Sequence, residues 1–135
     1  MKAIAALLFV TCGAASASPC LDYRETTLRG TLSSETFAGP PDYESIASGD
    51  SAETYFFITL LAPVCVSAGS SDLEPAIQSL QRIQLIFESD AAQKSYDSLR
   101  PHLGELIECR GVLLGSHTGH HHSEVMLDHA KCHAT

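Results

Sequence analysis

Four of the seven histidines, His117, His120, His121 and His122, fall between Gly115 and Glu124, and imidazole is a ligand for zinc, copper and nickel. Along an extended backbone His120 and His122 project one way and His121 the other. His120 and His122 are therefore the first candidate metal pair, joined by His117 if the turn folds back. His121 is then expected to pack or to hydrogen-bond to the long loop that precedes the second strand. Ligation requires neutral rings, so such a site would weaken as pH falls through the histidine range. The other reading of this tract is a polar turn, with Gly115 and Gly119 supplying turn geometry and the rings structural or in water.

The marks of hydrolytic chemistry are missing. In Gly115-Ser116-His117-Thr118-Gly119 the central position holds histidine where a nucleophile elbow needs serine. His121-His122-Ser123-Glu124 does not have the helical zinc-protease spacing. No catalytic residue is assigned. The balance favours a binding module over an enzyme, either for a divalent metal or for a protein or envelope partner.

Sixteen carboxylates against eight basic residues give a net charge of −8, which argues against a phosphate-binding surface and so against nucleic acid. Met1 to Ala17 reads as a secretory signal peptide: Lys2 opens it, Ala3 to Val10 is apolar, and Ala15-Ser16-Ala17 is the small-residue cleavage site. The mature domain is expected to run from residue 18 to 135, exported to a periplasm or beyond, with no membrane-spanning segment. Loss of the leader removes Cys12 and leaves Cys20, Cys65, Cys109 and Cys132, an even number in an oxidising compartment. Three pairings are open. A hairpin centred between His120 and His121 would set Cys109 opposite Cys132 and leave Cys20 to Cys65, while a Cys-plus-His metal site lacks any close CxxC spacing.

The elements that must position these residues can be read in order. Thr26 to Phe37 is a predicted strand, bent at Gly30. Ala38 to Glu53 has turn chemistry throughout and is a predicted long loop. Thr54 to Leu61 is apolar on both faces, as a central strand would be. Leu73 to Leu80 suggests a short helical turn, and Gln81 to Phe87 a third strand. Asp90 and Gln93 have capping-box spacing for a helix that Pro101 should end near Arg100. Leu106 to Leu114 and Glu124 to Ala130 complete five strands. His102 would lie at the helix end, and His129 and His133 beyond strand five, on the surface. Leu28-Arg29-Gly30-Thr31-Leu32 is echoed by Cys109-Arg110-Gly111-Val112-Leu113, which predicts two similarly bent strands.

This order predicts a mainly β domain with one short helix, a five-stranded oligonucleotide/oligosaccharide-binding (OB)-like Greek-key barrel. In that fold the loops after strand one and between strands four and five border one face. Asp42, Glu44, Asp50 and Glu53 would then stand near the histidines as oxygen ligands or as acceptors behind them. The same two-loop face is where a protein partner would dock.

Gly39-Pro40-Pro41-Asp42-Tyr43-Glu44-Ser45-Ile46, Pro63-Val64-Cys65-Val66, Ile83-Gln84-Leu85 and Thr118-Gly119-His120-His121-His122 together resemble a family of small secreted bacterial proteins catalogued as a domain of unknown function. The resemblance covers nearly the whole mature chain and implies export, in a Gram-negative setting, and a compact β-rich domain. It implies no particular activity. The family's pattern has Thr-Pro after the three histidines where this chain has Ser123-Glu124. Cys109 and Cys132 look like additions to the family's Cys20 and Cys65, which supports their pairing with each other; that bridge would contribute on the order of 3 kcal/mol by loop closure.

Overall fold

The computed structural model describes residues 19–135; the expected signal peptide lies outside the described residues. Five strands and one α-helix follow in the order β1 (Glu25–Ala38), β2 (Ala52–Val66), β3 (Ile77–Leu85), α1 (Ala92–Leu99), β4 (Leu106–Gly115) and β5 (Val125–Ala134). Hydrogen bonding closes the sheet into a ring, β1-β2-β3-β5-β4 and back to β1. Every pairing is antiparallel except β3 with β5, where Gln84 lies opposite Met126 and Leu85 opposite Leu127.

β1 serves two neighbours: Glu25 to Thr31 pair with β4, and Gly30 to Ala38 pair with β2. At the changeover a Cβ on Gly30 would lie 2.2 Å from the Thr59 carbonyl oxygen. The echoed glycine does the same work on β4, the other neighbour of β1. A Cβ on Gly111 would lie 2.5 Å from the Asp128 carbonyl oxygen, and the β4–β5 register shifts between Arg110 and Val112. Both glycines thus allow a bent strand to approach its neighbour's backbone.

Inside the ring, Leu28, Leu32, Phe56, Ile58, Leu60, Ile83, Leu85, Ile107, Leu113 and Leu127 form the core. The central character expected of β2 holds at Phe57, fully buried on the opposite face, where the Arg82 guanidinium stands 3.6 Å from its ring centroid and Phe37 packs at 6.0 Å. The bridges are Cys20–Cys65 and Cys109–Cys132. Cys109 and Cys132 are direct partners in the β4–β5 register, as the hairpin symmetry predicts. The two disulfides fit an oxidising compartment, and among the described residues no helix is long and apolar enough to cross a membrane.

Several predicted elements need correction. Leu73 to Leu80 forms no helical turn; Ile77 already belongs to β3, where Ile77, Leu80 and Ile83 turn into the core. Asp90 does not cap α1, whose N-cap is Ala91 and lacks a side-chain bond. β2 continues through Pro63 to Val66, and β5 continues to Ala134. His129 and His133 therefore lie within β5 instead of beyond it. Both remain exposed, His129 Nδ1 being 3.1 Å from Glu88 and His133 Nε2 3.8 Å from Glu108. The helix ends as expected, passing into a 3-10 turn over Arg100–His102 that carries Pro101.

Candidate functional site

The β1–β2 loop folds around one carboxylate. Asp50 is buried and accepts hydrogen bonds from the backbone N–H groups of Asp42 (2.9 Å), Glu44 (2.8 Å) and Ser45 (2.8 Å). These bonds, that of Asp42 foremost, hold its carboxyl below the usual aspartate range. Within this cage Tyr43 adopts a left-handed backbone, φ 60°, uncommon for an aromatic residue. Its ring is directed over the histidine turn. Asp50 thus shapes the loop, and the backbone amides of Asp42 and Glu44 serve it while their residues are exposed.

Glu53, at the start of β2, carries the contact to the turn. Its Oε2 accepts from the Tyr55 hydroxyl at 2.5 Å and lies 2.8 Å from His120 Nδ1. The Tyr55 bond, opposed by burial and helped by His120, keeps Glu53 below the ordinary glutamate range. Its own burial, and then the same bond, push the Tyr55 hydroxyl well up. With Nδ1–H donating to Glu53, His120 Nε2 offers its lone pair to the Tyr43 hydroxyl, 3.2 Å away. His120 is thereby held at both nitrogens, and the two loops meet as expected.

The remaining histidines separate by role. His122 stacks on Phe37, ring centroids 3.7 Å apart at 5°, with Tyr55 at 5.2 Å. Its Nε2 is buried without a hydrogen-bond partner among the described residues, and burial pushes its pKa below 6.5. His121 turns to His117, accepting the His117 backbone N–H at Nδ1 (3.1 Å), with the two rings edge to face at 4.6 Å. Of the two alternatives expected for His121, packing or a bond to the long loop, the ring is packed, against His117, and makes no bond to the loop. Burial, then His117, lower its pKa. His117 Nδ1 is 2.9 Å from the Gly115 carbonyl oxygen, to which it donates, leaving Nε2 free.

Among the described residues no three His, Cys, Asp or Glu side chains are grouped as a metal ion would require. The expected set of His117, His120 and His122 is spread over three environments: a backbone carbonyl, a glutamate and an aromatic stack. Of the four acids named from sequence, only Glu53 stands directly behind a histidine.

Gln84 was not singled out by sequence, yet it clamps the turn. It is 1 % exposed, donates through Nε2 to the His120 carbonyl (2.9 Å) and accepts the His122 N–H at Oε1 (2.7 Å). Ser123 assists: its Oγ accepts the Gln84 N–H at 3.0 Å and donates to the Val125 carbonyl at 2.6 Å. The available signals were a glutamine inside the otherwise apolar run 83–87 and its place in the Ile83-Gln84-Leu85 motif.

Residues 82–130, from β3 through α1 and β4 into β5, match the family model described as Domain of unknown function (DUF4431). No curated protein and no solved structure matches the chain. The matched span includes Gln84, α1 and the whole histidine turn; Asp50, Glu53 and Tyr43 lie before it.

Proposed function

We propose that this chain is an exported binding module that grips a protein or envelope partner with the face where residues 39–53 meet the histidine turn. The ring is read as an OB-like Greek-key barrel, on its strand order, its parallel β3–β5 pair and its helix between β3 and β4. One observation carries the functional reading: Tyr43 is 42 % exposed on a left-handed backbone that Asp50 holds rigid from three sides. Strained, well-supported backbone is found disproportionately at functional sites, and a rigid exposed tyrosine is a common anchor of protein contacts. In this reading His120, His121 and His122 are structural and contact residues, and no step of catalysis is assigned.

A second reading has a specific observation in its favour. His120 and His117 each direct Nδ1–H to an oxygen acceptor, the arrangement that orients a histidine to ligate through Nε2; at His120 a metal would displace the Tyr43 hydroxyl from that nitrogen. That makes His117 with His120, in preference to His120 with His122, the pair to test for zinc, copper or nickel.

One set of experiments separates the two. A photo-crosslinking residue at position 43 should give a discrete adduct in exporting cells, and one at the exposed Lys94 of α1 should not. In metal-free buffer His120→Ala should cost about 1 kcal/mol, less than a buried charged hydrogen bond because the ring is half exposed. Stoichiometric zinc should leave the wild-type melting temperature unchanged. A rise on adding zinc that is lost at pH 5 and in His120→Ala would favour the metal reading instead.

A further inference from the structure

Beside the histidine turn a cleft of about 290 Å³ opens between the end of β3 and α1, with Tyr55 also in its lining. Leu85, Phe87, Ala92 and Tyr96 provide much of its wall, and His120 and His121 stand with Thr118 where the turn borders it. The aromatic part is already ordered: Tyr96 meets Phe87 edge to face at 4.9 Å and Phe56 at 4.9 Å. Apolar cavities of roughly 150 Å³ take up benzene, so this volume admits one ring with a substituent.

The polar inventory narrows the guest further. No Asp, Glu, Lys or Arg lines the cleft, so a charged guest would be desolvated without a counter-ion. Gln84 has both ends of its amide committed to the turn. His121 accepts at Nδ1 from His117, so its neutral ring carries the proton on Nε2, a donor with no protein acceptor among the described residues. The Tyr96 hydroxyl likewise makes no protein hydrogen bond among them. The cleft thus offers a ring-sized apolar wall and donors at its edge.

We propose that this cleft is a binding site for a small uncharged aromatic molecule bearing a carbonyl-type hydrogen-bond acceptor, with the ring against Phe87 and Tyr96 and the acceptor at His121. The cleft shares His120 and Tyr55 with the contacts behind the Tyr43 face, but Tyr43 itself does not line it.

Benzamide, benzoate and benzylamine share the ring and differ in charge, so they form the test. Each is titrated into the oxidised mature protein at pH 7.5 and followed by NMR. Benzamide should bind with a Kd on the order of 1 mM, the scale for so small a guest, and at least about tenfold more tightly than either ion. Its ring protons should show nuclear Overhauser contacts to Phe87 and Tyr96. Ala92→Phe, a change at the partly buried first residue of α1, should abolish binding while the amide spectrum of the β-strands is retained. Equal binding of benzoate or benzylamine, no binding of any probe, or Overhauser contacts elsewhere would overturn the proposal. Should Ala92→Phe not fold, the wild-type contacts and the ranking of the three probes decide it.

Discussion

Gln84 shows how one side chain can govern a loop on another part of the chain. It holds the His120 carbonyl and the His122 amide together from β3, and its own backbone N–H is taken by Ser123. Replacing it with leucine keeps the volume but leaves both turn groups without their partner, a loss that costs more than the bond itself contributes. Gln84→Leu should lower stability by about 2 kcal/mol in urea unfolding and speed hydrogen exchange at His122. Unchanged exchange there would mean that Ser123 and the Phe37 stack suffice to hold the turn. The histidines were visible from sequence by type alone. Their differing roles were not, because each depends on the partner its ring nitrogens find: Glu53 and the Gly115 carbonyl accept from His120 and His117, and the His117 amide donates to His121.

At the scale of elements, the β4–β5 hairpin carries the turn and is bridged near its base by Cys109–Cys132, 23 residues apart in sequence. Removing both cysteines as alanines should cost roughly 3 kcal/mol, the scale for closing a loop of this length, read as a lower denaturation midpoint. The turn itself should survive, because Glu53 on β2 and Gln84 on β3 hold it from outside the hairpin. His120 ring resonances that remain in their wild-type positions would check this. Strand order, the single helix and the hairpin were legible from hydrophobic alternation and turn residues. The failures fell where local pattern and tertiary demand diverge: Leu73 to Leu80 has a helix-like spacing, yet Ile77 and Leu80 are needed in the ring's core.

For the whole molecule, acid should act in two stages. His121 and His122 have pKa values below 6.5 in the fold because burial disfavours their charged forms. As pH falls below 6.5 the unfolded chain takes up protons that the native protein resists, so stability declines until the native rings also titrate. Charged His122 would meet attraction from Glu53 and Glu35 and repulsion from His120 and Arg82. A second decline belongs to Asp50 and Glu53, whose folded values lie below 3.8 and 4.5; their stabilisation is present above those values and is lost as pH falls through the depressed ones. Chemical denaturation between pH 8 and pH 3 should show both stages. His122→Phe, which keeps the stack on Phe37, should shrink the first to the share of His121 and leave the second.

By itself, the sequence determined the β-rich class, the two glycine bends, the hairpin that unites Cys109 with Cys132, and the meeting of the 39–53 loop with the histidine turn. These follow from local periodicity, turn chemistry and chain order, which a linear pattern carries. Only the tertiary structure decided that Asp50 is the loop's internal acceptor, that Glu53 backs His120, that His122 stacks away from any shared centre, and that a cleft opens beside α1. Each of these joins residues distant in sequence or depends on a side chain's direction, and both are set by how the ring closes.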